Sequence, residues 1–521
     1  MPTMDITASA KGAKRLLLAT LLPALVMAGE LRVEPAVTLA PYYTTNVERS
    51  ADAQESLVTQ LQPSILLVGL GRDYRAALDY GYNHNFYSDD SDANSGYNTL
   101  AASADYLLAQ GIYAFATADI AQQSTNPEDG LLVDSGNRGG NISDTESYSG
   151  GLRAMREGYW MRGGGELAGR YVASDSGNFE TTKGYDGNLM LQQGVGAGPW
   201  FYDLRGDASQ ERSDGLDVYQ SEQLDLRGGY SLWRGFGLYA RFYQDQARFG
   251  EASRNRLASA GGGVRFSPGP QLTFDLGYNA VTSGDADDYV DARLVWLPSS
   301  RSRLEANYGH RYFGDSWGLL ASHGTRKLQQ SLSYREEIST TSRALTLGIP
   351  FARSCPPGVN DPFDPRCVAA SQEAPDGYKE VEGQIPIDAI DNSVYLSQLW
   401  LYSLNLDLRT QQWQLNLYQD ERSQASDLLD GEHYEDRGAR LDWRLRLSER
   451  SALESGGVAR SYRRDQQLDR DREWLLRLAL VRTPNSYSRW SLETQYFDRD
   501  AQQQDASYDE WRLGLSYTYY L

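Results

Sequence analysis

The chain has 521 residues and a formal charge of −20, with 50 Lys and Arg against 70 Asp and Glu. So acidic a surface disfavours nucleic-acid binding, which needs a basic face. The mean hydropathy of −0.56 argues against a bundle of membrane helices. It does not argue against a barrel, whose lumen-facing and loop residues dilute the lipid-facing ones.

The one long apolar run stands at the start. Lys11, Lys14 and Arg15 precede Leu16–Ala28, a short apolar stretch with small or modest residues at Val26 and Ala28. This reads as a cleavable export signal over residues 1–28, cut after Ala28. A retained inner-membrane anchor is the weaker alternative, because the run is short and contains Pro23. Removing it takes away three basic groups and Asp5, so the formal charge moves from −20 to −22.

From residue 29 to 521, runs of about ten or more residues alternate in polarity, as strands with one wet and one dry face do. Two kinds of connection separate them. Gly69–Gly71, Gly196–Pro199, Ser267–Pro270 and Pro298–Ser300 are tight. Ser88–Ser95, Ser124–Asp144, Asp175–Thr182, Gly284–Asp288 and Asp498–Asp509 are longer, acidic and rich in Ser or Asn. Short turns on one rim and long loops on the other are the pattern of an outer-membrane barrel.

Within the strands the two faces differ sharply. Leu304, Ala306 and Tyr308 oppose Arg303, Glu305 and Asn307, and Leu441, Trp443, Leu445 and Leu447 oppose Arg440, Asp442, Arg444 and Arg446. Trp400, Tyr402, Leu404, Leu406 and Leu408 back onto Ser403, Asn405, Asp407 and Arg409. The last strand carries Trp511, Leu513, Leu515, Tyr517, Tyr519 and Leu521 on one face, with Arg512, Gly514, Ser516 and Thr518 on the other. An edge strand of a soluble sandwich is the competing reading for that segment alone. A charge facing hydrocarbon at mid-membrane costs about 2–4 kcal/mol, so the charged faces belong inside. The composition agrees: aromatics make up 11%, with 35 Tyr to 13 Phe, and amphipathic rings suit membrane–water interfaces. The expected fold is all-β: a transmembrane, antiparallel, up-and-down outer-membrane β-barrel of about 24 strands (22–26).

The longest irregular stretch, residues 340–392, is rich in Pro and holds the only cysteines, Cys355 and Cys367. In an oxidising periplasm a local disulfide is expected. Metal binding is the weaker reading, since no His neighbours them. The segment is expected to be an outer loop that folds over the mouth or into it as a plug.

Chemistry is scarce. His84, His310, His323 and His433 sit in separate segments without a metal-ligand spacing. An interfacial role is expected for His310. No Ser pairs with a His in the sequence, although strands could assemble such a pair. Gly194–Gly198 and Gly261–Gly263 read as turn or bulge glycines at strand ends, and Asp285, Asp287 and Asp288 lack the Gly and distal Glu of a calcium loop. No enzymatic activity and no cofactor are expected. Arg303, Glu305, Arg311, Asp407, Arg409, Arg440, Asp442, Arg444, Arg446 and Arg512 are the lumen candidates, as a salt-bridged wall or as fixed charges that select solutes.

Val33–Leu39, Tyr43–Val47, Pro63–Ile65, Ala76–Tyr80, Arg303–Gly314, Leu332–Tyr334 and Asn392–Leu396 together resemble an outer-membrane family associated with the PEP-CTERM/exosortase system. That resemblance implies a barrel serving exopolysaccharide export or surface assembly, and it carries over no catalytic residues. The insertion with Cys355 and Cys367 departs from the family pattern. A passive channel for an extended hydrophilic polymer is therefore expected, with a non-conducting scaffold or adhesin-like barrel, whose acidic loops bind matrix components, as the alternative. The expected partners are outer-membrane lipid and lipopolysaccharide, the barrel-assembly machinery, exopolysaccharide and periplasmic export components.

Overall fold

The structure is a computed structural model. It describes residues 30–124, 132, 136, 138, 142–175, 179–194, 196–213, 216–250, 254–340, 342–343, 351–355, 368–369, 379–383, 394–424, 433–464, 469–502 and 506–521. The export signal with its Ala28 cleavage site, Cys367, and hence the expected disulfide lie outside the described residues.

Twenty-four strands form one ring in which each strand pairs antiparallel with its neighbours in sequence. The first, Glu30–Thr44, closes the ring against the last, Tyr508–Tyr520. Closure leaves no free sheet edge, which is what allows strands to cross a membrane at all. On one rim the connections are short, such as 110–111, 234–235, 270–271 and 486–487. On the other they include 45–55, 88–94 and 341–393. Two connections on that long rim, 214–215 and 312–313, are as tight as those opposite. The segment between Thr340 and Val394 therefore leaves and returns on the long-loop rim, and its pieces Phe351–Cys355, Val368–Ala369 and Lys379–Gly383 pair with one another.

Alternation along the strands divides exterior from interior as the sequence predicts. Trp511, Leu513, Leu515, Tyr517 and Tyr519 are all exposed, whereas Glu510 and Arg512 are buried. Rings gather at the two ends of the outer face. Trp317, Tyr334 and Trp400 pack at centroid distances of 4.3–5.7 Å towards the long-loop rim. Tyr159 with Trp160 and Trp200 with Tyr230 do the same at the short-turn rim. An apolar band between two aromatic girdles is the exterior of a lipid-embedded barrel. This is a transmembrane β-barrel.

The ring is not round. Strands lie about 4.8 Å apart, so 24 of them would make a circle about 37 Å across even before tilt. Residues five strands apart would then be about 22 Å from each other. Yet Arg293, on Tyr289–Ser299, donates to Asp203, on Trp200–Ser213, over 2.6 Å. Four strands separate Arg311 from Asp245, and they bond over 2.8 Å. The wall from Trp200 to Thr340 is folded inward on itself, leaving a small lobe beside a larger one.

One seam explains how the lobe closes. Gly314–Gly324 pairs with Leu328–Thr340 only between Leu319–Gly324 and Gln329–Tyr334. Leu328–Thr340, by contrast, pairs on its other side along its whole length with Val394–Leu406. Above Tyr334 the seam is open, and the Trp317 amide donates to the Glu336 carboxylate at 3.2 Å instead of to a ladder partner. The freed ends lean over the low wall of Ser302–Arg311. Ile338 and Leu396 bury themselves against Tyr219, Ala247 and Phe249 from across the ring. Tyr312 and Phe313, in the tight connection below, pack against the same cluster.

Candidate functional site

The interior of the small lobe is lined by ion pairs. Arg241 grips Asp225 with two bonds of 3.0 and 3.1 Å, and Arg265 grips Asp275 with two of 2.6 and 2.7 Å. Arg227 lies 3.2 Å from Asp291 and 3.7 Å from Asp275, which joins the two clusters. Asp275 and Asp291 are 0% and 1% exposed. Charges so far from water persist only when paired and hydrogen-bonded.

Glycine makes the space for this network. Gly261–Gly263 lies within the strand Asn255–Gly269, not at a strand end as the sequence suggests. A Cβ on Gly261 would come within 2.7 Å of the Asn279 amide oxygen, and one on Gly263 within 2.7 Å of the Tyr239 ring. A Cβ on Gly277 would meet the Asp291 carboxylate at 2.5 Å. These glycines face inward and admit their neighbours' polar side chains.

The larger lobe has a different wall. Around Ser56–Leu70, Tyr74–Tyr87, Ser95–Ala109, Ile112–Ser124 and Ile142–Glu157 the inward positions are mostly small or hydroxylic. Cross-strand hydroxyl pairs recur there and nearby: Thr117 with Ser149 at 2.7 Å, Thr38 with Thr518 at 2.8 Å, and Ser491 with Ser516 at 2.7 Å. Asp79 and Asp119 flank Ala101 in one cross-strand row.

Three described residues between Ser124 and Ile142 lie on that side. Leu132, Gly136 and Arg138 are held on the inner wall: the Gly136 carbonyl accepts from Tyr42 at 3.0 Å and from Tyr87 at 3.4 Å. The Arg138 amide donates to the Val47 carbonyl at 3.2 Å, and its guanidinium pairs with Asp89 at 2.5 Å. Arg49 donates to the Leu132 carbonyl at 3.1 Å and to Glu510 at 2.8 Å. Partial burial alone would raise the Asp89 pKa, but the Ser56 hydroxyl, its own backbone amide and Arg138 outweigh it and hold it below the usual carboxylate range.

The lumen candidates read from the sequence fall into three groups. Arg303 pairs with Glu305 at 2.7 Å and Arg440 with Asp442 at 2.7 Å, each two residues along one strand, while Arg444 lies 3.5 Å from Glu454. Arg311 and Arg512 are ion-paired to Asp245 and Glu510, and Arg512 also lies over the Tyr42 ring at 5.0 Å. Asp407 and Arg446 end their strands at the short-turn rim. Arg409 differs from expectation: it stands in the turn 408–410, two residues beyond the last paired residue, Asp407, and is exposed at the rim. The sequence reading missed the Asp203–Arg293 and Asp225–Arg227–Arg241 network. Its available signal was charge at every second position of Asp203–Asp207, Asp225–Arg227 and Asp291–Arg293.

A Ser–His pair is assembled across strands, Ser302 Oγ to His323 Nδ1 at 2.8 Å. It sits at the short-turn rim, and its serine shares a hydroxyl contact with Ser299 at 3.2 Å. His310 contacts Asp315 at 2.8 Å. Among the described residues no group of three or more His, Cys, Asp or Glu could hold a metal ion.

No family model and no curated protein matches the chain. Solved outer-membrane proteins are similar in outline. The siderophore receptor PirA from Pseudomonas aeruginosa is 10% identical, with a TM-score of 0.38 over 95% of this chain and 81% of that one. The FrpB iron transporter from Neisseria meningitidis is 10% identical, with a TM-score of 0.41 over 94% and 83%. A loop-deletion variant of OmpT, an outer membrane protein of Vibrio cholerae, is 8% identical, with a TM-score of 0.31 over 94% and 99%. Likeness at this level says nothing about cargo. The barrel's own exterior and its two unequal rims identify it. The protein is an outer-membrane β-barrel.

Proposed function

We propose that the larger lobe is a passive conduit for an extended hydrophilic polymer, and, on the family resemblance, that the polymer is an exopolysaccharide on its way to the cell surface. The observation that carries the reading is the contrast between the two lobes. One is lined by tightly paired Arg and Asp such as Arg265 with Asp275, while part of the other wall carries small and hydroxylic side chains such as Thr117, Ser149 and Ala101. Such a wall exchanges hydrogen bonds with a hydrated chain without a deep well that would hold it, as conduction requires. The reading assigns no reaction to the chain, and the driving force comes from periplasmic export components. Lipopolysaccharide and outer-membrane lipid surround the barrel, which the barrel-assembly machinery inserts.

The test is single-channel conductance of the refolded full-length protein in a planar bilayer, with and without reductant. A steady conductance supports the conduit. Conductance only after reduction makes the Cys355–Cys367 segment a gate. No conductance in either state sinks the conduit and favours the scaffold, in which the lumen is blocked.

A further inference from the structure

The lumen wall carries a polar track that runs obliquely from the short-turn rim. Gln329, Asn405, Gln414, Asp442, Gly456 and Arg477 are consecutive Cα partners across six strands. Each step is about 4.8 Å. Gln329 is the second residue of its strand from the short-turn rim, whereas Arg477 stands eight positions inside the end of Asp471–Asn485, so the row climbs into the barrel. A second row, Asp407, Gln412, Arg444 and Glu454, runs beside it nearer the rim. Between them lies a cavity of ≈ 480 Å³, within the usual range for a small-molecule site.

The chemistry of this cavity is specific. Asn405, Gln412 and Gln414 place three carboxamides on its wall, beside Gln329, which is 3% exposed. Carboxamides supply both donors and acceptors, as vicinal hydroxyls do. The cations are already taken: Arg444 faces Glu454 at 3.5 Å and Arg477 bonds Glu493 at 2.6 Å. A polyanion finds no free positive charge here.

We propose that this cavity is a binding site for an uncharged, hydroxyl-rich chain, a neutral oligosaccharide segment, at the periplasmic entrance of the barrel. Asn405 and Gln412 hydrogen-bond neighbouring ligand hydroxyls. The site deepens the conduit reading and rests on it for the direction of travel, while binding itself is independent of conduction.

The experiment is calorimetric titration of the full-length protein in detergent with maltoheptaose, and with polyglutamate as the anionic control, alongside single-channel recording with maltoheptaose added to either side. Binding of maltoheptaose and not polyglutamate is expected, weakened about tenfold in the double variant Asn405→Ala/Gln412→Ala, with current block from the short-turn side. Each lost hydrogen bond supports a few-fold effect. Gln412→Glu, which keeps the shape, removes a donor and adds a charge to the cavity wall, provides a second check and also weakens binding. Equal affinities for wild type and both variants, or preference for polyglutamate, overturn the site. Conductance without maltoheptaose binding overturns the site and leaves the conduit standing. Binding without conductance does the reverse.

Discussion

The Thr340 hydroxyl donates to the Glu211 carboxylate over 2.6 Å, although eight strand-to-strand steps separate them around the ring. Ser342 adds a second bond to the same oxygen at 2.9 Å, and Arg170 a third at 2.7 Å. In a round barrel the two strands would stand about 32 Å apart. Glu211 is therefore the latch that holds the leaning hairpin against the opposite wall. Glu211→Ala leaves Arg170 buried with one partner fewer and should cost about 3–5 kcal/mol. Thr340→Val removes one neutral donor and should cost about 1 kcal/mol. Denaturant unfolding in detergent measures both, and a Thr340→Val effect as large as that of Glu211→Ala would contradict the assignment.

The ion network of the small lobe should be strongly coupled. Arg265→Ala strands Asp275 at 0% exposure and should cost about 3–5 kcal/mol. Removing Asp275 as well relieves the unpaired charge, so the double variant should be less damaged than the two single costs added together, by about 0.5–3 kcal/mol. Additive losses would mean that the pair is idle.

Much of the barrel is legible in the sequence because each of its rules is local. Period-two alternation in Arg440–Leu447 or Trp511–Leu521 places lipid and lumen faces, and turn composition separates the two rims. The strand count follows from the same runs, and the ring has 24 strands. The pinch is not legible. Asp203 and Arg293 are ninety residues apart, and their contact depends on every register between them. Sequence alternation shows that both point inward, not that they meet. Gly261–Gly263 misleads for a related reason: its glycines answer to side chains on neighbouring strands, not to a turn. Arg409 misleads by two residues, since pairing stops at Asp407.

Two glycines separate these effects. Gly263→Ala puts a methyl group 2.2 Å from the Leu276 carbonyl and 2.7 Å from the Tyr239 ring, so a loss of about 1–3 kcal/mol is expected. Gly228 has nothing within 4 Å of an added Cβ. Gly228→Ala should be neutral or slightly stabilising, because alanine restricts the unfolded chain. Unfolding midpoints of the two variants decide the matter, and similar shifts would refute the close-packing account.

Asp89 makes the anchoring of Arg138 sensitive to acid. Its pKa is depressed in the folded barrel, so the contribution is fully present above the unfolded value of about 3.9 and disappears as pH falls through the lower folded value. The Arg138 anchor should hold at neutral and mildly acidic pH and release only in strong acid. Asp89→Asn should remove this dependence and leave Arg138 looser throughout. A fluorophore on a cysteine at Leu132, which leaves Arg138 in place, would report it, and release near neutral pH would be inconsistent with a depressed carboxylate.

If ions and polymer pass through the larger lobe, bulk added to its wall must narrow the path. Ala101 lies in the row between Asp79 and Asp119 and is exposed to the lumen. Ala101→Trp should lower single-channel conductance, and adding Ser149→Trp should lower it further. Gly228→Trp, on the lipid-facing side of its strand, should leave conductance unchanged while keeping the barrel folded. The comparison distinguishes loss of cross-section from loss of structure, because all three proteins can be checked for the heat-resistant barrel on gels before recording. Equal conductance in Ala101→Trp and wild type would place the path elsewhere. The remaining route would run through the small lobe, where the Asp225–Arg241 and Asp275–Arg265 pairs would have to part for anything to pass. The measured cost of breaking those pairs then sets a lower limit on the barrier, and a conductance that survives it would require the lobe to open.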